Sequence, residues 1–113
     1  MAIAAAYHAG LADTGLILPA LRSGATHVYH QFVVRHPDRD RFRSRLQDQG
    51  VGTNIHYPVP VHRQPAYAGR LECDQNGLET TEAVAGEILS LPMYPELTDA
   101  MVANIVATVR SLV

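Results

Sequence analysis

Pro58 and Pro60, separated by one residue, constrain the fold more than anything else in this sequence. Each fixes its own φ, lacks a backbone donor, and biases the residue before it toward an extended conformation. A segment with prolines at alternate positions cannot pair inside a sheet, so the chain must leave the sheet there. Just upstream, residues 53–57 read as a short strand, in which Ile55 and Tyr57 alternate with Asn54 and His56. His56 and Tyr57 at the strand end, and His62 shortly after, therefore sit on a stiff arm suited to a binding surface. The alternative is an ordinary proline-rich loop with incidental histidines.

At 113 residues the chain is one domain with a single modest core. Its apolar share of 47% argues against disorder. A formal charge of −2 gives no electrostatic case for nucleic acid or an anionic membrane as partner. One cysteine, Cys73, excludes an internal disulfide and an all-cysteine metal cage, and fits a reducing cytoplasm. No apolar run approaches the ~18 residues of a membrane span, and Tyr7 and His8 interrupt the N-terminal alanines, so no signal peptide is expected. All nine basic residues are arginines. A mechanism that needs a side-chain Schiff base cannot be completed by a chain without lysine.

In chain order, Ile3, Tyr7 and Leu11 give a helix over about 2–12 with one apolar face. It lacks an initial cap, so it reads as cut into rather than begun, and Asp13-Thr14-Gly15 stops it. A short strand is expected at 16–18, closed by Pro19. Residues 27–35 are aromatic and β-branched, and predict the best strand, centred on 28–34. Val28, His30, Phe32 and Val34 share its core face, and we read His30 as a satisfied structural histidine, with a site role as the alternative. Asp38 is expected to cap a helix over 38–49 with Phe42 and Leu46 buried and Gly50 just past its end. Arg39, Arg41, Arg43 and Arg45 fall on different sides of that helix among Asp38, Asp40 and Asp48, so they read as a solvated surface rather than a phosphate-binding stripe.

Cys73 to Gly77 reads as a loop turning at Asn76-Gly77. A helix follows over 78–89, with Val84 and Ile88 on one face and Glu79 and Glu82 near its start. Residues 90–93, hemmed by Pro92 and Pro95, are an edge strand at most. Thr98 caps a last helix over 98–112 whose core stripe is Met101, Ile105, Val109 and Leu112. The sum is a two-layer α+β domain, a small sheet on 28–34 and 52–57 with four helices.

Chemical signatures are sparse. There is no Gly-rich phosphate loop, HExxH pair or nucleophile elbow. A zinc site from His56, His62 and a third histidine lacks a suitably spaced carboxylate or cysteine, so no metal ligands are assigned. Cys73 lies in a polar loop with no activating pattern. No catalytic residue is assigned within the chain.

Five stretches nevertheless resemble successive motifs of one family: His27-Val28-Tyr29-His30-Gln31-Phe32-Val33-Val34-Arg35, then Arg41 to Gly50, the arm from Gly52-Thr53-Asn54-Ile55-His56-Tyr57-Pro58-Val59-Pro60 to His62, Gln64-Pro65-Ala66-Tyr67, and Glu87-Ile88-Leu89-Ser90-Leu91-Pro92-Met93-Tyr94-Pro95-Glu96-Leu97. The family is the DegT/DnrJ/StrS-type sugar aminotransferases, pyridoxal-phosphate (PLP) enzymes of fold type I. The resemblance covers only their C-terminal small domain, so residues 1–113 are expected to form that domain without the large one. It implies amino transfer, usually from glutamate, to a nucleotide-linked keto-sugar, in a cytoplasmic homodimer whose cofactor is PLP. It also implies that His56, Tyr57 and His62 border the sugar-nucleotide pocket, and that this chain alone is inactive and cofactor-free. The rival readings are a free-standing small-molecule-binding or regulatory module without catalysis, and a dimerisation piece.

The missing lysine makes a direct prediction. Borohydride reduction of the chain mixed with PLP should leave no label beyond traces on the α-amine, as read by intact-mass spectrometry. Stoichiometric labelling of one internal residue would overturn the reading.

Overall fold

Val51 and Gly50 illustrate how local sequence sets the frame. In the computed structural model, which describes residues 2–72 and 77–113, Gly50 has φ +78° at the end of a helix. Its N–H donates to Gln47 O, and Val51 N–H donates to Leu46 O. This is the paired closure of a helix C-terminus that a left-handed residue permits. Val51 and Leu46 are both buried, so the stop also seals the core beside it.

The elements are α1 (Ala2–Leu11), β1 (Phe32–Arg35), α2 (Arg39–Asp48), a 3₁₀ turn (Val61–Arg63), α3 (Glu79–Glu87), β2 (Ile88–Leu91) and α4 (Asp99–Leu112). β1 and β2 pair antiparallel, with Phe32 opposite Leu91 and Val34 opposite Leu89. Single bridges flank the pair: Ile17 on Arg35 outside β1, and Asn54 on Ser90 outside β2. Phe32, Val34, Leu89 and Leu91 are buried on one face, together with Tyr7 and Leu11 of α1, Phe42 and Leu46 of α2, and Ile105 and Val109 of α4. Helices thus cover one face of the sheet. Alternation along β2 sends Ser90 to the other face, where the arm lies. The two-layer α+β expectation is met.

Tyr7, fully buried, donates its hydroxyl to Pro92 O at 2.8 Å and so ties α1 to the exit of β2. Burial, and secondarily Tyr94, push its phenol up to about 12. Gly10 lets α1 approach α4: a Cβ there would meet Val106 Cγ1 at 2.5 Å. At the same end Arg110 donates to Gly10 O and to both carboxylate oxygens of Asp13.

Several expectations need correction. The strand over 28–34 shrinks to Phe32–Arg35, because Tyr29 takes φ +51° and leaves Val28 86% exposed. Packing outweighs β propensity here: the Tyr29 ring stacks 6.0 Å from Phe32, and its hydroxyl lies 3.2 Å from His8 Nε2. The strands expected at 16–18 and 52–57 are reduced to the single bridges at Ile17 and Asn54. The helix over 78–89 ends at Glu87, so Ile88 leaves the face it was expected to share with Val84. The supposed edge strand lies between β1 and the Asn54 bridge, because Pro92 and Pro95 fall beyond the paired residues and Ser90 N–H donates to Asn54 O.

Asp38 makes no side-chain cap, and its N–H donates instead to His36 Nδ1. Thr98 does cap α4, accepting from Met101 N–H. The buried stripe of α4 uses Val102 in place of Met101, which is exposed, while Leu112 is only partly buried. The loop expected at Cys73 to Asn76 lies outside the described residues.

Gly50→Ala tests the helix stop. Its φ is left-handed and no atom lies within 4 Å of an added Cβ, so the cost is conformational alone. We expect a loss of about 1–2 kcal/mol in chemical denaturation. Gly52→Ala, open and without positive φ, should stay within about 0.5 kcal/mol. Equal effects at both positions would refute the assignment.

Candidate functional site

The arm begins where Asn54 exchanges both backbone hydrogen bonds with Ser90, at 3.2 and 2.7 Å. Two residues on, His56 Nδ1 lies 2.8 Å from Ser90 Oγ. Ser90 is buried, so its hydroxyl holds the imidazole by one nitrogen and leaves Nε2 as the nitrogen available to a ligand. Serine can donate or accept, so Nε2 can serve as acceptor or donor in turn.

His56 lines a cleft of about 560 Å³ whose walls include His30, Gln31, Asn54, Ser90 and Tyr94. Thr53 Oγ1, at the same cleft, is buried and has no hydrogen-bond partner among the described residues. Leaving such a hydroxyl unpaired typically costs about 1–3 kcal/mol. The lining of imidazole, amide, hydroxyl and phenol groups suits a polyhydroxylated or phosphorylated molecule.

Tyr57 and His62 do not join His56 there. The His56–Tyr57 peptide is cis. The two rings meet edge-on, with centroids 5.7 Å apart. Tyr57, 73% exposed, lines instead an apolar groove of about 580 Å³ between the proline arm and α3, with Val59, Val61, Thr81 and Val84. His62 sits in the 3₁₀ turn, its side chain only 13% exposed, with Nε2 2.9 Å from Glu82 Oε1. Arg63 beside it donates through Nε and Nη2 to the two oxygens of the same carboxylate. His56 and His62 are therefore held by different partners, Ser90 and Glu82.

His30, read as a satisfied structural histidine, is exposed and lines the cleft. It was misassigned because it was placed on the core face of a strand that ends before reaching it. Ser90 was missed as an orienting group, although a lone serine among Ile88, Leu89 and Leu91 was the available signal. Arg39 was read as solvated and is buried: its Nη1 donates to Ala85 O and Ile88 O at the end of α3. That capping role has no sequence signature. No lysine is present to attach PLP covalently, so these residues do not fit a covalent site for that cofactor.

Comparison with known proteins follows the same line. The profile of the DegT/DnrJ/EryC1/StrS aminotransferase family matches residues 1–110. A dTDP-3-amino-3,4,6-trideoxy-alpha-D-glucose transaminase of Micromonospora megalomicea subsp. nigra is 42% identical, over 99% of this chain and 31% of its own length. A UDP-N-acetyl-3-dehydro-alpha-D-glucosamine 3-aminotransferase of Acidithiobacillus ferrooxidans is 35% identical over 92% of this chain and 27% of its own. In the crystal structure of S. venezuelae DesV in complex with a ketimine intermediate, the matching part superposes with a TM-score of 0.90. It is 40% identical and covers 97% of this chain and 30% of that one. A DegT DnrJ EryC1 StrS aminotransferase from Brucella abortus gives 0.89 at 32% identity, covering 97% of this chain and 29% of that one. The chain thus spans less than a third of the length of these relatives.

Electrostatics single out Glu82. Hydrogen bonds from Arg63, then His62, lower its carboxyl from an ordinary 4.5 to about 2. A depressed carboxyl contributes stability that is fully present above its ordinary value and is lost as pH falls through its folded one. The contact should therefore persist at pH 5 and loosen between about 4.5 and 2. Carbon-detected NMR titration of the Glu82 carboxyl should show that low midpoint, with Arg63→Ala raising it more than His62→Ala does. A midpoint of 4.5 in the unaltered chain would contradict the geometry.

Proposed function

The chain belongs to the DegT/DnrJ/EryC1/StrS aminotransferase family, and from that premise we propose that residues 1–113 form the C-terminal small domain of a PLP-dependent nucleotide-sugar aminotransferase. The complete enzyme moves an amino group from glutamate to a nucleotide-linked keto-sugar, as a cytoplasmic homodimer. The relatives named as dTDP- and UDP-sugar transaminases support the substrate class. Among the described residues no helix is long and apolar enough to cross a membrane. When bound, PLP supplies the electron sink for amino transfer. Its covalent lysine must come from the large domain, so the chain alone is inactive. Family membership weighs against a free-standing binding module.

The observation that carries the site assignment is His56, fixed by Ser90 at the wall of a cleft that mixes polar side chains with Leu91, Pro92 and Met93. In this reading His56 Nε2 hydrogen-bonds a sugar hydroxyl or phosphate oxygen. Tyr57 borders the same substrate from the exposed side of the arm, and His62 reaches it only through Nδ1, because Glu82 holds Nε2. These groups bind and orient. They are not the proton-transfer base, a role that the cofactor-linked lysine fills directly. A rigid arm loses little entropy on engaging its ligand.

His56→Ala in the complete enzyme should lower kcat/KM for the sugar by about 10- to 100-fold, the equivalent of one hydrogen bond to a charged group. The half-reaction with the amino donor should barely change, and the Tm should fall only modestly, since Ser90 Oγ loses its partner while the fold is kept. Collapse of the donor half-reaction with the fold intact would place His56 in the catalytic machinery instead.

A further inference from the structure

The arm from Tyr57 to Arg63 makes few hydrogen bonds to the rest of the molecule. Pro58 and Pro60 have no N–H. Val59 O accepts from the adjoining Gln64, and Arg63 N–H and Gln64 N–H donate to Pro60 O and Val61 O, local bonds that do not reach the body. Among the described residues, the hydrogen bonds that tie this stretch to the body are Ser90 with Asn54 and His56 at one end, and Glu82 with His62 and Arg63 at the other. The arm is a stiff span held at two points.

We propose that Glu82 is a positioning residue: by receiving Arg63 and His62 on one carboxylate, it fixes the far end of the proline arm against α3 and thereby sets where Tyr57 stands beside His56. The role is geometric. The Arg63 side chain is 60% exposed and that of Glu82 36%, and ion pairs of such exposure add little to global stability. A two-pronged arginine–carboxylate contact does fix direction, and here it is joined by a mostly buried histidine. The prolines transmit the constraint, because Tyr57 is followed directly by Pro58 and two of the next three residues have locked φ. Glu82 is in the first turn of α3, whose packing does not depend on the arm's side chains for its own hydrogen bonds, so the body can survive loss of the contact. That this positions a substrate-binding group rests on the function proposed above.

Two measurements test it. In the 113-residue chain, Glu82→Ala should raise amide exchange at Arg63 and Gln64 by about 10-fold or more and weaken the nuclear Overhauser contacts between the His56 and Tyr57 rings. Exchange at Val34 and Leu89 should hold. The charge reversal Arg63→Glu with Glu82→Arg should recover protection, and Glu82→Gln, nearly isosteric, serves if the alanine variant fails to fold. Unchanged arm exchange, no recovery on reversal, or an equal rise at Val34 and Leu89 would each overturn the proposal. In the complete enzyme, Glu82→Ala should raise KM for the nucleotide sugar several-fold and leave the amino-donor half-reaction unchanged. If His56→Ala impairs sugar use and Glu82→Ala does not, the positioning role fails while the substrate assignment stands. If neither variant affects sugar use, the substrate assignment itself fails.

Discussion

The structure depends on one antiparallel pairing between strands 56 residues apart at their first residues, Phe32 and Ile88. Phe32 against Leu91 and Val34 against Leu89 place four buried apolar side chains on a single face. That face is where α1, α2 and α4 bring Tyr7, Phe42, Leu46 and Val109 together. Burying each such side chain is worth about 1.5–3 kcal/mol, far more than any exposed ion pair, so the hydrophobic face decides the register. Once it is set, alternation leaves Ser90 no choice but the opposite side.

The site is a consequence of that leftover face. Ser90 offers its outward backbone edge to Asn54 and its hydroxyl to His56, so one residue both starts the arm and aims its first histidine. Beyond it the prolines give stiffness without hydrogen bonds, and the carboxylate of Glu82 takes the far end. Along the arm Tyr57 and Val61 stay exposed, while the buried Thr53 hydroxyl has no hydrogen-bond partner among the described residues.

Helices were the legible part of the fold, because 3.6-residue spacing and local end signals need no distant partner. Tyr7 and Leu11, Phe42 and Leu46, and Ile105 and Val109 were identified as buried faces, and Gly50 and Thr98 as ends. Strands were less legible. The run at 28–34 had the composition of a strand, but pairing partners are chosen in space, and Tyr29 gained more from packing on Phe32 and His8 than from extending the sheet. Residues 88–91 were divided wrongly between helix and edge strand for the same reason, since nothing local announces a partner at Phe32–Arg35.

By itself, the sequence carried the family resemblance, the α+β class, the stiffness of the proline arm, and the absence of any lysine for covalent PLP chemistry. The first rests on resemblance of motifs, and the others follow from residue identity and short-range geometry, which hold in any fold. Only the tertiary structure decided that His30 is exposed at the cleft, that Arg39 is buried at the end of α3, and that His56 and His62 answer to different partners. Each of those outcomes depends on which side chains meet across long sequence separations, and that is fixed by the packing of the shared apolar face rather than by any pattern along the chain.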